Sequence, residues 1–200
     1  MEIIDISSDV FENENNENIP DGKFNFLESF EKGDNCNSSV FFSSSQAATH
    51  IVSPLSYEED GSSVDKLNLS VYIGPCKVVK LPDGPITGEY VENNFPRGCR
   101  RILIKSNKSA CFFDHGALCA VNLGYKMIGV DSACISAPRN KSGVYRTFFN
   151  NDVGIIEGLN LDNVPEGNYY LIALPIKAAG LESAPARAIL IKDEIKWVKR

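Results

Sequence analysis

Two hundred residues, 43% hydrophobic with a single tryptophan, suffice for one well-filled core. The net charge is −6 and the 20 Lys and Arg are scattered, which excludes the continuous basic face that nucleic acid requires. No apolar run approaches the roughly 18 residues that span a bilayer, and the acidic start MEIIDISSDV is unlike a secretory signal, so a cytoplasmic chain is expected, with neither nucleic acid nor membrane as partner.

In chain order, residues 2–6 (EIIDI) predict a first strand and residues 9–23 a polar loop rich in Asn and Glu. The pieces SSVFFSSS and ATHIV, ended by Pro54, predict a strand pair or one long bent strand. CKVVKL (76–81) predicts a strand, LPDGPITGEYVENNFPRG a loop, and RRILIK (100–105) another strand. Apolar residues at 113, 117, 118 and 121 predict one helix face, stopped by Gly124. KMIGVD (126–131) is then a buried strand. Residues 142–152 predict a helix with Ser142 as N-cap, followed by strands at 153–159, 168–176 and 186–191. Early hairpins and late β-α-β units make this an α/β protein, a single domain over 1–200 with a mixed sheet.

The six cysteines (36, 76, 99, 111, 119, 134) form no C-x-x-C pair and are expected to be buried or half-buried free thiols. His115 falls between Cys111 and Cys119 on one predicted helix, with positions 115 and 119 able to touch. A core cysteine near a surface histidine is the ordinary explanation, against a nucleophilic one. Asp131-Ser132 is expected to be a turn. No phosphate-binding glycine pattern is present.

The stretch SSQAATHIVSPLSY (44–57) carries the chemistry. If it is a strand, positions 46, 48, 50 and 52 share a face, and Gln46, Ala48, His50 and Val52 occupy them, with Ser56 beyond the Pro54 bend. Only His50 among them is a normal metal ligand. The layout resembles the kynurenine formamidase and putative cyclase family of metal-dependent hydrolases, whose signature is H-x-G-T-H-x-D-x-P-x-H. Thr49, His50 and Pro54 match it in register. The resemblance extends over nearly the whole chain. It includes GDNCNSSVFFSSS, DGSSVDKLNLSVYIGPCKVVKL, LGYKMIGVDS and, most specifically, IIEGLNLDNVPEGNYYLIALPIKAAGLESAPARAIL.

What the resemblance implies is a swivelling β/β/α, cyclase-like architecture and a homo-oligomer, dimer or tetramer. It also implies a site in which one or two metal ions activate water to hydrolyse N-formylkynurenine to kynurenine and formate. In register, the motif's first histidine falls on Gln46, its glycine on Ala48, its aspartate on Val52 and its last histidine on Ser56. A further family histidine falls on Tyr145, while the ligand glutamate is Glu157. The segment between ILIK and the next helix is also shorter than in typical members.

The expected residual metal residues are therefore His50 and Glu157, with Gln46, Ser56 and Tyr145 as pocket positions. Three readings stay open. One is a noncatalytic or small-molecule-binding relative, a pseudoenzyme without cofactor in which His50 and Glu157 satisfy each other. Another is an active amide or ester hydrolase with a single divalent metal, zinc or manganese. The third is a subunit whose site is completed by an intact paralogue.

Overall fold

The computed structural model describes residues 1–11, 22–137 and 141–192. Among the described residues, twelve strands and three α-helices follow in the order β1 (Glu2–Asp5), β2 (Lys23–Glu28), β3 (Ser38–Phe42), β4 (His50–Val52), β5 (Ile73–Lys80), β6 (Pro85–Ile86), α1 (Gly88–Asn94), β7 (Arg101–Lys105), β8 (Cys111–Phe112), α2 (Asp114–Asn122), β9 (Met127–Val130), α3 (Lys141–Phe149), β10 (Gly154–Glu157), β11 (Gly167–Pro175) and β12 (Ser183–Lys192). The main sheet runs β1-β12-β11-β5-β7-β9-β10-β4, and β4 also pairs with β12, closing seven strands into a barrel. Strands β5, β7, β9 and β10 are parallel neighbours, and the remaining pairings are antiparallel.

Alternation along the strands sorts the core into two layers. Ile51, Cys76, Val78, Leu103, Met127, Ile156, Leu171 and Leu190 belong to a cluster to which all seven barrel strands contribute, the barrel interior. Val52, Val79, Ile102, Ile104, Ile128, Val130 and Ile155 belong to the other, with Val91 of α1, Ala117 of α2 and Tyr145 and Phe148 of α3. The outer face of the parallel strands is thus covered by the helices, as the βαβ geometry requires. Gly124, at φ 86, stops α2 in the left-handed conformation that glycine adopts freely.

Several expectations need correction. SSVFF and HIV are neither a strand pair nor one bent strand: β3 pairs with β2, and β4 closes the barrel. The loop predicted after β5 contains β6 and the short helix α1, whose Thr87 side chain accepts from the Tyr90 amide. Ser142 lies inside α3 rather than capping it. Cys111 is on β8, not on a helix with His115, and Cys36 is exposed rather than buried. Most of the predicted polar loop, residues 12–21, lies outside the described residues, and Lys23 already belongs to β2. Among the described residues, no helix is long and apolar enough to cross a membrane.

Candidate functional site

His50 and Glu157 stand directly opposite each other on neighbouring antiparallel strands, β4 and β10. Cross-strand partners project to one face, and that face is the helix-covered one that also takes Val52 and Ile155. His50 Nε2 lies 3.1 Å from Glu157 Oε2, and both residues are only 3% exposed.

The approach to this pair is fixed by backbone geometry. Ala48 is left-handed at φ 51, and its carbonyl turns back to accept from His50 Nδ1 at 3.0 Å. Gly158, at φ 68, passes so close that an added Cβ would meet the Ala48 oxygen at 2.1 Å. Thr49 Oγ1 donates to the Gly158 carbonyl at 2.6 Å and accepts from the Ser8 amide at 2.9 Å. Three segments distant in sequence are thereby tied together behind the imidazole.

The second carboxylate oxygen is equally engaged. Glu157 Oε1 accepts from the Ile135 amide at 2.6 Å and from the Tyr145 hydroxyl. Because Tyr145 gives its one proton to Glu157, the Cys134 thiol, 3.1 Å away, donates to the tyrosine oxygen. Tyr57 stacks on Tyr145 with centroids 4.1 Å apart and 16° between planes. The result is a chain of contacts from Cys134 through Tyr145 and Glu157 to His50 and the Ala48 carbonyl.

Proton placement follows from the acceptors. The Ala48 carbonyl makes Nδ1 a donor, so the contact between Nε2 and Oε2 needs one proton, on the ring or on the acid. Burial, then the Glu157 charge, push the Tyr145 phenol up. Burial, then the Cys134 and Glu157 charges, push Tyr57 up to about 12. Burial, then the Glu157 charge, raise the Cys134 thiol, so it is held as a neutral donor rather than as a nucleophilic thiolate.

The other positions singled out in the sequence are placed as follows. Gln46 and Ala48 precede the strand in a turn, so the expected shared face of 46, 48, 50 and 52 holds only for His50 and Val52. Val52 is 2% exposed within the outer core. Ser56 follows in the turn Pro54–Ser56 and donates to the Glu182 carbonyl at 2.8 Å, the acceptor that Ser53 Oγ also uses. Gln46 is half-buried, with its backbone N–H donating to Ser44 Oγ at 3.2 Å. Tyr145 joins the cluster.

Cys119 is buried, donates to Glu92 Oε1 at 3.5 Å and lies 3.8 Å from His115 Nε2; burial raises its thiol as well. Asp131 accepts from the Ser106 amide and hydroxyl, the expected structural turn. Missed by sequence reasoning were Cys134, Tyr57, and the backbone groups of Ile135 and Ala48, which leave no side-chain signature.

Clefts of about 560, 720 and 450 Å³ open elsewhere on the surface, and His50, Tyr145 and Glu157 line none of these three. Among the described residues, no group of three or more His, Cys, Asp or Glu side chains is placed to hold a metal ion.

No family model matches the chain. A solved structure described as a potential metal-dependent hydrolase with cyclase activity superposes with a TM-score of 0.80 at 25% identity, over 94% of this chain and 96% of its own. The closed mixed barrel is therefore the cyclase-like fold of that neighbour. A kynurenine formamidase of Delftia acidovorans is 31% identical over 166 residues, 77% of this chain and 79% of its own. Another, from Sphingopyxis alaskensis, is 31% identical over 173 residues, 79% and 83% of the two chains. This chain belongs to the kynurenine formamidase family.

Proposed function

We propose that the chain is a noncatalytic relative of the kynurenine formamidases, keeping their barrel while using His50 and Glu157 as a structural pair. The observation that carries this reading is that both oxygens of the Glu157 carboxylate are engaged by neighbouring groups. Its Oε1 takes the Ile135 amide and the Tyr145 hydroxyl, and its Oε2 takes His50.

The fit of a metal ion can be judged from the donor set. A catalytic zinc centre uses three protein ligands and leaves one position open. Here the imidazole and one carboxylate converge, and the neighbouring positions supply an apolar Val52, a Ser56 hydroxyl committed to Glu182 and a Tyr145 phenol kept protonated. Tyr145 donates into the carboxylate, where a metal ligand would have to offer a lone pair. These residues do not fit a catalytic metal ion, and no hydrolytic step is assigned to one. Nor does the cluster supply a solvent-accessible base or nucleophile in its place, since His50 and Glu157 are buried and the Cys134 thiol is kept neutral.

The test is metal analysis of protein purified without chelator, with turnover assays on N-formylkynurenine and an aryl ester, with and without added zinc or manganese. Neither stoichiometric metal nor turnover is expected. Stoichiometric metal that disappears together with turnover in His50→Ala overturns the reading in favour of a single-metal hydrolase.

A further inference from the structure

The parallel strands β7, β9 and β10 begin side by side, and their starts bring three cations together. The Lys126 amide donates to the Arg100 carbonyl at 2.8 Å and the Gly154 amide to the Lys126 carbonyl at 2.9 Å, so Arg100 and Lys126 are neighbours across adjacent strands, with Arg101 next in sequence. All three side chains line a cleft of about 720 Å³ beside the turn Leu69–Tyr72. Like charges at neighbouring strand positions repel. The chain has 26 Asp and Glu against 20 Lys and Arg, yet among the described residues no carboxylate pairs with any of the three. Asp152 is the one acidic residue that lines the cleft.

Arg101 is held by the main chain instead. Its Nε donates to the Val71 carbonyl and its Nη2 to the Ser70 carbonyl, each at 2.7 Å. Gly74, at φ 138, lets the guanidinium lie against the backbone, since a Cβ there would meet Nη1 at 2.6 Å. Carbonyl oxygens fix the orientation of the fork and leave its charge whole, and among the described residues Nη1 has no hydrogen-bond partner. Burial, then the Arg100 charge, push Arg101 down from its usual value, the direction expected of two cations that share a site without a counter-ion.

Much of the remaining lining is apolar, including Leu67, Val71, Phe149 and Val153. We propose that this cleft binds a small organic anion, a carboxylate or phosphate group joined to an apolar body of aromatic-ring size. The head group sits among Arg100, Arg101 and Lys126, and the body lies against Val71 and Phe149. The volume falls within the roughly 300–1,000 Å³ of small-molecule sites, and a bare inorganic ion would leave the apolar lining unused. A guanidinium preset by its own backbone contacts suits the paired oxygens of either head group. Gly154 begins β10 and Glu157 ends it, so the cleft and the His50–Glu157 pair lie at opposite ends of that strand. The inference is independent of whether that pair is catalytic.

The experiment is calorimetric titration of the full chain with 1-naphthyl phosphate and with 1-naphthoate, against 1-naphthol and inorganic phosphate. At least one naphthyl anion should bind, one per chain, with a sub-millimolar dissociation constant that rises with added salt. The tighter of the two names the head group. Naphthol and inorganic phosphate should each bind about tenfold more weakly or not at all. The double variant Arg100→Gln, Lys126→Gln should retain its circular dichroism and lose about tenfold or more in affinity. Lys23→Gln, Lys32→Gln, which removes two charges outside the cleft, should stay within about twofold of the unmodified chain. The inference is overturned if neither naphthyl anion binds saturably, or if naphthol or inorganic phosphate binds as tightly as they do. It is also overturned if the folded cleft variant binds like the unmodified chain, or if the Lys23, Lys32 variant loses as much. If the cleft variant does not fold, amide hydrogen exchange on the unmodified chain decides: added naphthyl anion should protect residues 67–73 and 100–102, and unchanged exchange there overturns the inference.

Discussion

His50 and Glu157 occupy directly opposed positions on β4 and β10, with Nε2 3.1 Å from Oε2 and both side chains out of solvent. The contact joins the strand that closes the barrel to the last of its parallel strands, so it bears on fold as much as on chemistry. Removing one partner of a buried hydrogen-bonded pair leaves the other uncompensated, at a cost of about 3–5 kcal/mol. His50→Ala and Glu157→Ala should each lose about that much in urea unfolding. The double variant should lose less than the sum of the two, by about 2 kcal/mol. Strict additivity would show that the two side chains are not coupled in the folded chain.

Gly158 yields a prediction about how the site is positioned. At φ 68 it accepts a side chain only under strain, and a Cβ there would strike the Ala48 oxygen, which also receives His50 Nδ1. Gly158→Ala should therefore cost about 3 kcal/mol or more. Gly180→Ala, at φ 81 with nothing within 4 Å of the added atom, should cost only about 1–2 kcal/mol. Equal losses in the two variants would show that left-handed strain alone, and not the close approach behind His50, sets the cost at Gly158.

The raised phenols make a signed prediction at alkaline pH. An unfolded tyrosine ionises near 10, whereas Tyr57 in the fold is pushed to about 12 by burial and by the Cys134 and Glu157 charges. Its contribution to stability is present in full below pH 10 and is lost as pH rises from about 10 to about 12, because the unfolded chain then binds fewer protons than the folded one. Tyr145 acts with the same sign. The wild-type urea midpoint should fall through that window, and Tyr57→Phe should fall less steeply. A slope unchanged in Tyr57→Phe would sink the assignment.

Much of the barrel was legible because its strands are apolar, bounded by turn residues and, between β7 and β10, separated by helices of readable period. The His50–Glu157 contact was legible only through resemblance, since no local pattern shows that β4 lies beside β10. Reading 46, 48, 50 and 52 as one strand face failed because the strand is three residues long and Ala48, whose carbonyl lies against Gly158 from 110 positions later, adopts a left-handed turn. β2 escaped detection because its residues are all exposed, so burial imposes no clean alternation on it. The two backbone groups that hold the site, the Ile135 amide and the Ala48 carbonyl, belong to residues whose side chains are silent on the matter.

Val52 is the position at which the family reading and the packing meet most sharply. The family resemblance leads one to expect an aspartate here, yet the Val52 side chain lies 2% exposed in the outer core, opposite Ile155 of β10. An aspartate placed there would be desolvated among apolar neighbours, and the polar side chains of the same stretch are already committed: His50 to Glu157 and Ala48, and Ser56 to Glu182. Val52→Asp should therefore destabilise the chain by about 3 kcal/mol or more, whereas Val52→Ala should cost about 1–2 kcal/mol for its lost methyl groups and small cavity. Added zinc or manganese should leave the loss in Val52→Asp unchanged, because one new carboxylate does not release Tyr145 and Ile135 from Glu157. Urea unfolding of the two variants with and without metal is the measurement. Recovery of Val52→Asp by metal would mean that His50 and Glu157 still accept an ion once a third ligand is supplied, and that the hydrogen bonds around Glu157 yield to coordination.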